Sequence, residues 1–288
     1  MLVFHSMGRA SFPCKIHLSS LVKQLVVYFS FAYLISWLIW LPLYGPVFGL
    51  RPMPVIPYNH ALGGLGPLLS AFLTTLMFDK KAGVRKLAGG LFKVRPFSYI
   101  LVALLSPFLI VALAVLVNTL LNGAPADLTG LLRVREFPGF NLGEFFIYNL
   151  IFFGFGEETG WRGFALPRFQ QRRNALGSSA LLTVFWALWH WPLFFYRPGY
   201  MSMHIPDVVG WILSLFTGSI LLTWLFNSTR GSILACAIFH ATIDIAFTAD
   251  IADKNVVGIT GFLVTLWGIL ILAIFKAKHL AKVNADVY

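Results

Sequence analysis

The strongest constraint in this sequence is the recurrence of apolar runs about twenty residues long, the length a helix needs to cross the roughly 30 Å hydrocarbon core of a bilayer. Eight stretches meet or approach it: 21–44, 61–78, 97–121, 142–161, 176–196, 205–226, 231–249 and 256–275. With 58% hydrophobic and 11% charged residues, against about a quarter charged in an ordinary soluble domain, a water-soluble fold of 288 residues cannot bury this much apolar surface. Unbroken runs of this length satisfy their backbone in lipid only as helices. The chain therefore reads as an all-α polytopic membrane protein with about eight transmembrane helices over 21–275. Segment 1–20 precedes them and tail 276–288 follows.

A net charge of +11 could suggest nucleic acid, but the basic residues fall in short clusters between apolar runs, as in loops on one side of a membrane. Nucleic acid is not an expected partner; membrane lipid is. All of the 22 Lys and Arg except Arg51, Arg133, Arg135, Arg197 and Lys254 fall on one side of the predicted spans. By the positive-inside rule that side is cytoplasmic and holds both termini. No small-residue cleavage site follows the first run, so no cleavable leader is expected, and the short loops suit a bacterial plasma membrane. Cys14 and Cys236 give no disulfide framework. The basic loop Lys80 to Arg95, with Val84, Leu87, Leu91 and Phe92 among its charges, reads either as a plain orienting loop or as a short surface helix on anionic lipid.

Ionisable groups at bilayer depth cost at least about 2.5–3.5 kcal/mol each on insertion scales, so each is a functional candidate. The fourth run holds Glu157 and Glu158, followed by Arg162; the fifth holds His190; the seventh holds His240 and Asp244. Glu158 and Arg162 are four apart with the acid N-terminal, the spacing and order that favour an ion pair. Glu157 points about 100° away from Glu158 and stays free to face the bundle interior as a catalytic base. His240 and Asp244 are again four apart on one face, as metal ligands on a helix can be. His190 sits in Trp186-Ala187-Leu188-Trp189-His190-Trp191-Pro192, where Pro192 frees a carbonyl and Trp186 packs one turn away. Brought together, His190, His240 and Asp244 can hold Zn²⁺ with a position left for water. Simpler readings stand beside these: His190 as a packing residue, Glu158 and Arg162 as a structural pair, Asp244 as a residue that only orients His240. His5, His60, His204 and His279 read as solvated; Trp186, Trp189 and Trp191 read as packing residues or as a cavity wall.

These residues resemble the motifs of the CPBP family, the CAAX-protease and bacteriocin-processing membrane proteins also called the Abi family. Glu157-Glu158-Thr159-Gly160-Trp161-Arg162 matches its first motif, Trp186 to His190 its second, with Trp where the family usually has Phe, and His240 to Asp244 its third. The motif core covers 154–244, and Gly63-Gly64-Leu65-Gly66-Pro67 is also similar to the family. The Trp for Phe exchange reads as conservative. The resemblance implies eight helices around an intramembrane cavity open to the cytoplasm, and cleavage of a peptide bond by glutamate-activated water. It also implies Glu157 as base, Glu158 and Arg162 as its support, and His190, His240 and Asp244 as the groups holding water, oxyanion or metal. The substrate it implies is a peptide or protein that is prenylated or membrane-anchored. A non-catalytic immunity or scaffold protein of the same fold is the main alternative, and an ion or proton transporter the next; no paired broken-helix repeat of the transporter kind is present.

Overall fold

A computed structural model describes residues 18–123, 130, 133, 137, 139–249 and 254–281. His5, Arg9, Cys14, Lys15, Arg135 and Lys282 lie outside the described residues. The regular elements are all helical: α1 (Leu18–Tyr44), α2 (Asn59–Gly64), α3 (Gly66–Leu91), α4 (Phe97–Asn122), α5 (Leu142–Asn149), α6 (Gly156–Gly160), α7 (Leu166–Gln170), α8 (Ala175–Trp189), α9 (Pro198–Met201), α10 (Ile205–Ser228), α11 (Ile233–Thr248) and α12 (Lys254–His279). Short 3₁₀ turns follow α1 and α8. The protein is an all-α polytopic membrane protein.

Among the described residues six helical stretches, not eight, are long and apolar enough to cross a membrane: Leu18–Phe48, Asn59–Leu91, Phe97–Asn122, Ala175–Phe195, Ile205–Ser228 and Lys254–His279. The two that fall short are the fourth and seventh runs, the ones that carry carboxylates. Helix α11 has 16 residues, about 24 Å at 1.5 Å per residue, which is less than a bilayer core. The fourth run is divided into α5, α6 and α7 by two π-helical segments, Leu150–Phe155 and Trp161–Ala165. Both stretches lie largely inside the bundle. Every residue from Gly156 to Arg162 is buried, as is most of α11, whereas α1, α4 and α12 bury under a third of their apolar windows. The lipid-facing helices thus carry the apolar length, and the inner ones carry the polar residues.

Small residues let these inner helices approach. A Cβ on Gly154 would lie 2.5 Å from the Ala237 carbonyl oxygen of α11, and one on Gly156 would lie 2.7 Å from the Gly64 carbonyl oxygen of α2. Backbone meets backbone at both points, so neither neighbour can yield. This contact explains the glycines of 63–66, which draw α2 and α3 against the π-segment and α6. At the start of the run Asn141 and Glu144 form a reciprocal capping box, placing Glu144 at the exposed end of α5.

The two ends of the bundle differ in chemistry. At the basic end, Arg168 reaches Asp79 (2.6 Å) and Gln24 (2.8 Å), Gln170 donates to Asn227 (3.3 Å), and Asn227 donates to the His279 carbonyl (2.8 Å). These bonds join the start of α1, the lower part of α3, α7 and the ends of α10 and α12. The basic stretch after Phe78 is helical: α3 continues to Leu91 past a break at Lys80 (φ 59°, ψ −163°). At the opposite end a cavity of about 310 Å³ is lined by His60, Tyr148, Tyr196, Arg197 and other residues, but by none of the six candidate site residues. His60, expected to be solvated, is packed there. Its Nδ1 lies 2.7 Å from the Tyr196 hydroxyl, and its ring lies beside Trp40 and Phe153, because the turn before α2 folds back onto α1.

The Gly154 approach makes a direct prediction. Gly154→Ala forces a methyl group against backbone and is expected to destabilise by about 1–3 kcal/mol, the range for overpacking. Gly210→Ala, where nothing lies within 4 Å, serves as the neutral control. Thermal unfolding midpoints of both variants in the same detergent test it.

Candidate active site

The site begins with the phase of one helix. On α6, Glu157 and Glu158 are adjacent and diverge, and both are buried. Glu158 takes the direction expected of it: Arg162 Nη1 donates to its Oε1 at 2.9 Å, and neither side chain is exposed. The same Oε1 lies 2.7 Å from His240 Nδ1 on α11. One carboxylate oxygen therefore joins a cation on its own helix to an imidazole 82 residues away. The Arg162 guanidinium also rests 4.5 Å from the Trp186 ring centroid, a cation–π contact in a dry interior.

Glu157 turns the other way, as its position predicts, but it is not free. Its Oε2 accepts from Trp186 Nε1 at 2.7 Å and from Trp161 Nε1 at 3.1 Å. Its Oε1 stands 3.9 Å from His240 Nε2, and Asp244 Oδ2 stands 3.6 Å from that same nitrogen. His240 thus has Glu158 on one nitrogen and Glu157 and Asp244 on the other. The Asp244 side chain is 33% exposed, which makes it the most open carboxylate of the group.

Trp186 connects these groups to His190. Its indole N–H is spent on Glu157, its ring meets the His240 ring edge-on at 5.8 Å, and its backbone carbonyl is 2.7 Å from His190 Nδ1. A carbonyl oxygen only accepts, so Nδ1 of His190 carries hydrogen and Nε2 presents a lone pair. The local sequence explains the geometry. Pro192 lacks an N–H, α8 stops at Trp189, and His190 covers with its side chain the carbonyl that a continuing helix would have used. The exchange of the family's usual Phe for Trp186 is therefore not conservative, since a phenyl ring has no donor for Glu157.

Two aromatic residues outside the motifs complete the surroundings of His190. Tyr200 of α9 lies nearly parallel to its ring at 6.1 Å, and Trp211 of α10 stands across it at 5.7 Å. No spacing in the sequence points to them. Trp189 donates to Ser36 Oγ, and Ser36 donates to the Gly63 carbonyl, tying α8 to α1 and α2; Trp191 is exposed. The structure gathers Glu157, Glu158, Arg162, His240 and Asp244 directly, with His190 joined to them through Trp186.

The zinc set expected from the sequence would use the Nε2 atoms of His190 and His240 together with Asp244. Among the described residues no group of three or more His, Cys, Asp or Glu side chains is placed to hold a metal ion.

Residues 140–246 match the family described as type II CAAX prenyl endopeptidase, Rce1-like. Over 93 residues the chain is 36% identical to CAAX prenyl protease 2 of Methanococcus maripaludis, a stretch covering 31% of this chain and 34% of that protein. The chain thus spans about a third of the length of the curated relative it matches. Both matches support the CAAX-protease family for this chain. The matched region runs from just before α5 into α11 and contains all six candidate residues.

Removing one member of a buried ion pair leaves its partner's charge uncompensated, at a typical cost of about 3–5 kcal/mol. Arg162→Ala is accordingly expected to lower the unfolding midpoint more than any single substitution of the exposed basic residues. Circular dichroism melts in matched micelles provide the comparison.

Proposed function

Starting from the support for the CAAX-protease family, we propose that the protein is an intramembrane endopeptidase in which Glu157 is the general base. One observation carries this reading. Glu157 is a buried carboxylate aligned by two indole donors, with a histidine nitrogen 3.9 Å from its second oxygen and a half-open aspartate beside that nitrogen. A carboxylate serving only as a brace would point at Arg162, and Glu158 already does so.

In the proposed reaction Glu157 takes a proton from a water molecule, whose oxygen attacks the scissile carbonyl carbon. His190, with Nδ1 bound to the Trp186 carbonyl, accepts a hydrogen bond from that water through Nε2 and orients it. Negative charge develops on the carbonyl oxygen. His240 stabilises it from Nε2 when doubly protonated, Nδ1 being held by Glu158. Glu157 then returns the proton to the departing nitrogen as the C–N bond breaks, leaving a carboxylic acid and an amine, and transfer of the remaining proton between them gives a carboxylate and an ammonium group. Arg162 offsets the charge of Glu158, and Glu158 fixes the ring of His240. Asp244, where the family more often has Asn, keeps a carboxylate at the open side of the site. The substrate class that fits is a membrane-anchored peptide, and a prenylated C-terminal tail is the form suggested by the name of the relative. We place the basic end and both termini in the cytoplasm of a bacterial cell, on the strength of the positive-inside bias.

Glu157→Gln, which keeps size and hydrogen bonds, is expected to abolish cleavage of a farnesylated C-terminal reporter peptide while leaving the unfolding midpoint within about 1 kcal/mol of wild type in stability. Cleavage by this variant at the wild-type rate would sink the mechanism, whereas no cleavage by wild type and full complementation of a deletion by the variant would favour a non-catalytic scaffold. Trp186→Phe keeps the ring but removes one donor to a charged group, an interaction worth about 1.5–3 kcal/mol. Its kcat is expected to fall about 10- to 100-fold. Exhaustive chelation separates two forms of the reaction: activity left intact keeps it to the side chains named above, and a loss restored by added Zn²⁺ would place a metal at His190, His240 and Asp244.

A further inference from the structure

The helical stretch beyond the Lys80 break has no part in the chemistry above. Its exposed residues, Lys81, Ala82, Arg85, Lys86 and Gly89, recur at helical spacing along one face. On the other face Leu87 is buried, and a Cβ on Gly90 would meet Ile233 Cδ1 at 2.8 Å. The apolar face is therefore used by the protein and the cationic face is left outward. Just beyond it, between α3 and α4, Phe92 (79% exposed), Val94 and Phe97 stand out beside exposed Arg95. Aromatic and aliphatic side chains interleaved with Lys and Arg at the mouth of two spans are suited to the boundary between headgroups and acyl chains, where the stems lie in apolar surroundings and the charges meet phosphate. The charge is not balanced locally. Among the described residues the acid at this level is Asp79, already joined to Arg168, while Arg172 and Arg173 add further exposed positive charge.

This stretch also grips the helix that carries His240 and Asp244. Ser232, the N-cap of α11, accepts from Ala235 N at 3.1 Å and donates to the Lys93 carbonyl. Lys93 Nζ donates to the Arg230 carbonyl, and Ile233 fills the space left by Gly90 and Gly163. The backbone at Arg230 and Gly231 is left-handed (φ 54° and 94°), so the turn from α10 into α11 is held by these contacts in a conformation a non-glycine residue rarely adopts.

We propose that Lys81, Arg85, Lys86 and Arg95, with Phe92 and Phe97, form a docking surface for anionic phospholipid headgroups, and that occupying it steadies the first turns of α11. This inference does not depend on the site being catalytic. Each basic side chain near an anionic surface contributes about fivefold in partition, so neutralising three lowers headgroup affinity on the order of a hundredfold.

The test uses the full chain in phosphatidylcholine bicelles with increasing phosphatidylglycerol, read by unfolding midpoint and by amide hydrogen exchange across 232–239. The expected result is a higher midpoint and slower exchange in wild type, a response lost at high ionic strength and lost in Lys81→Gln/Arg85→Gln/Lys86→Gln. Arg51→Gln, at the other end of the bundle, is expected to keep it. An equal response to both lipids, or a triple variant that responds like wild type, overturns the proposal. So does an equal response to soluble polyglutamate in neutral bicelles, which would mark the face as one for an acidic protein. Should the triple variant fail to fold, the salt dependence of wild type decides the matter.

Discussion

A single carboxylate oxygen holds this structure's interior together. Glu158 Oε1 receives Arg162 from one direction and His240 from another, at 2.9 and 2.7 Å, with no side-chain exposure at Glu158 or Arg162. Taking such charges out of water costs several kcal/mol each, and the cost is offset only where opposite charges and donors converge with good geometry. That requirement fixes which helices lie inside. A helix carrying Glu157, Glu158 and Arg162 cannot face lipid, and a helix carrying His240 and Asp244 must sit against it. The long apolar helices then enclose both. The six apolar spans and the two inner stretches thus follow from where the charge has to go.

The same oxygen ties stability to chemistry. The ring of His240 is oriented by an acid whose own position depends on Arg162, and Arg162 rests on the ring of Trp186, which holds Glu157 and His190. A substitution at any of these positions disturbs the others, so losses from neighbouring substitutions are not expected to add. Residues that brace and residues proposed to react form one connected cluster.

Much of this was legible in the sequence because its signals were local. Apolar runs of bilayer length gave the class, and i, i+4 spacing gave the Glu158–Arg162 pair. The same spacing relates Glu157 to Trp161, a hydrogen bond that passes unnoticed when an indole is read only as a packing group. The fourth and seventh runs read like the other spans because hydropathy does not distinguish lipid from the interior of a bundle. Contacts between helices could not be read at all: the Trp186–Glu157 bond joins residues 29 apart, and the Glu158–His240 contact joins residues 82 apart. Tyr200 and Trp211 sit in elements whose local sequence has no functional pattern, and folding alone brings them to His190.

The two π-helical segments around α6 have a further consequence. A π turn holds about one residue more than an α turn, so each inserts a phase step of roughly 100° without breaking the chain of hydrogen bonds. Between them, Gly156–Gly160 is offset in phase from the helix on either side. The N-terminal part can answer to its capping box and the C-terminal part to the Arg168 contacts at the basic end, while the segment between them aims the two carboxylates. End contacts and aim are thereby reconciled within one helical stretch: its two ends keep their own partners, and Glu157 and Glu158 still point into the bundle.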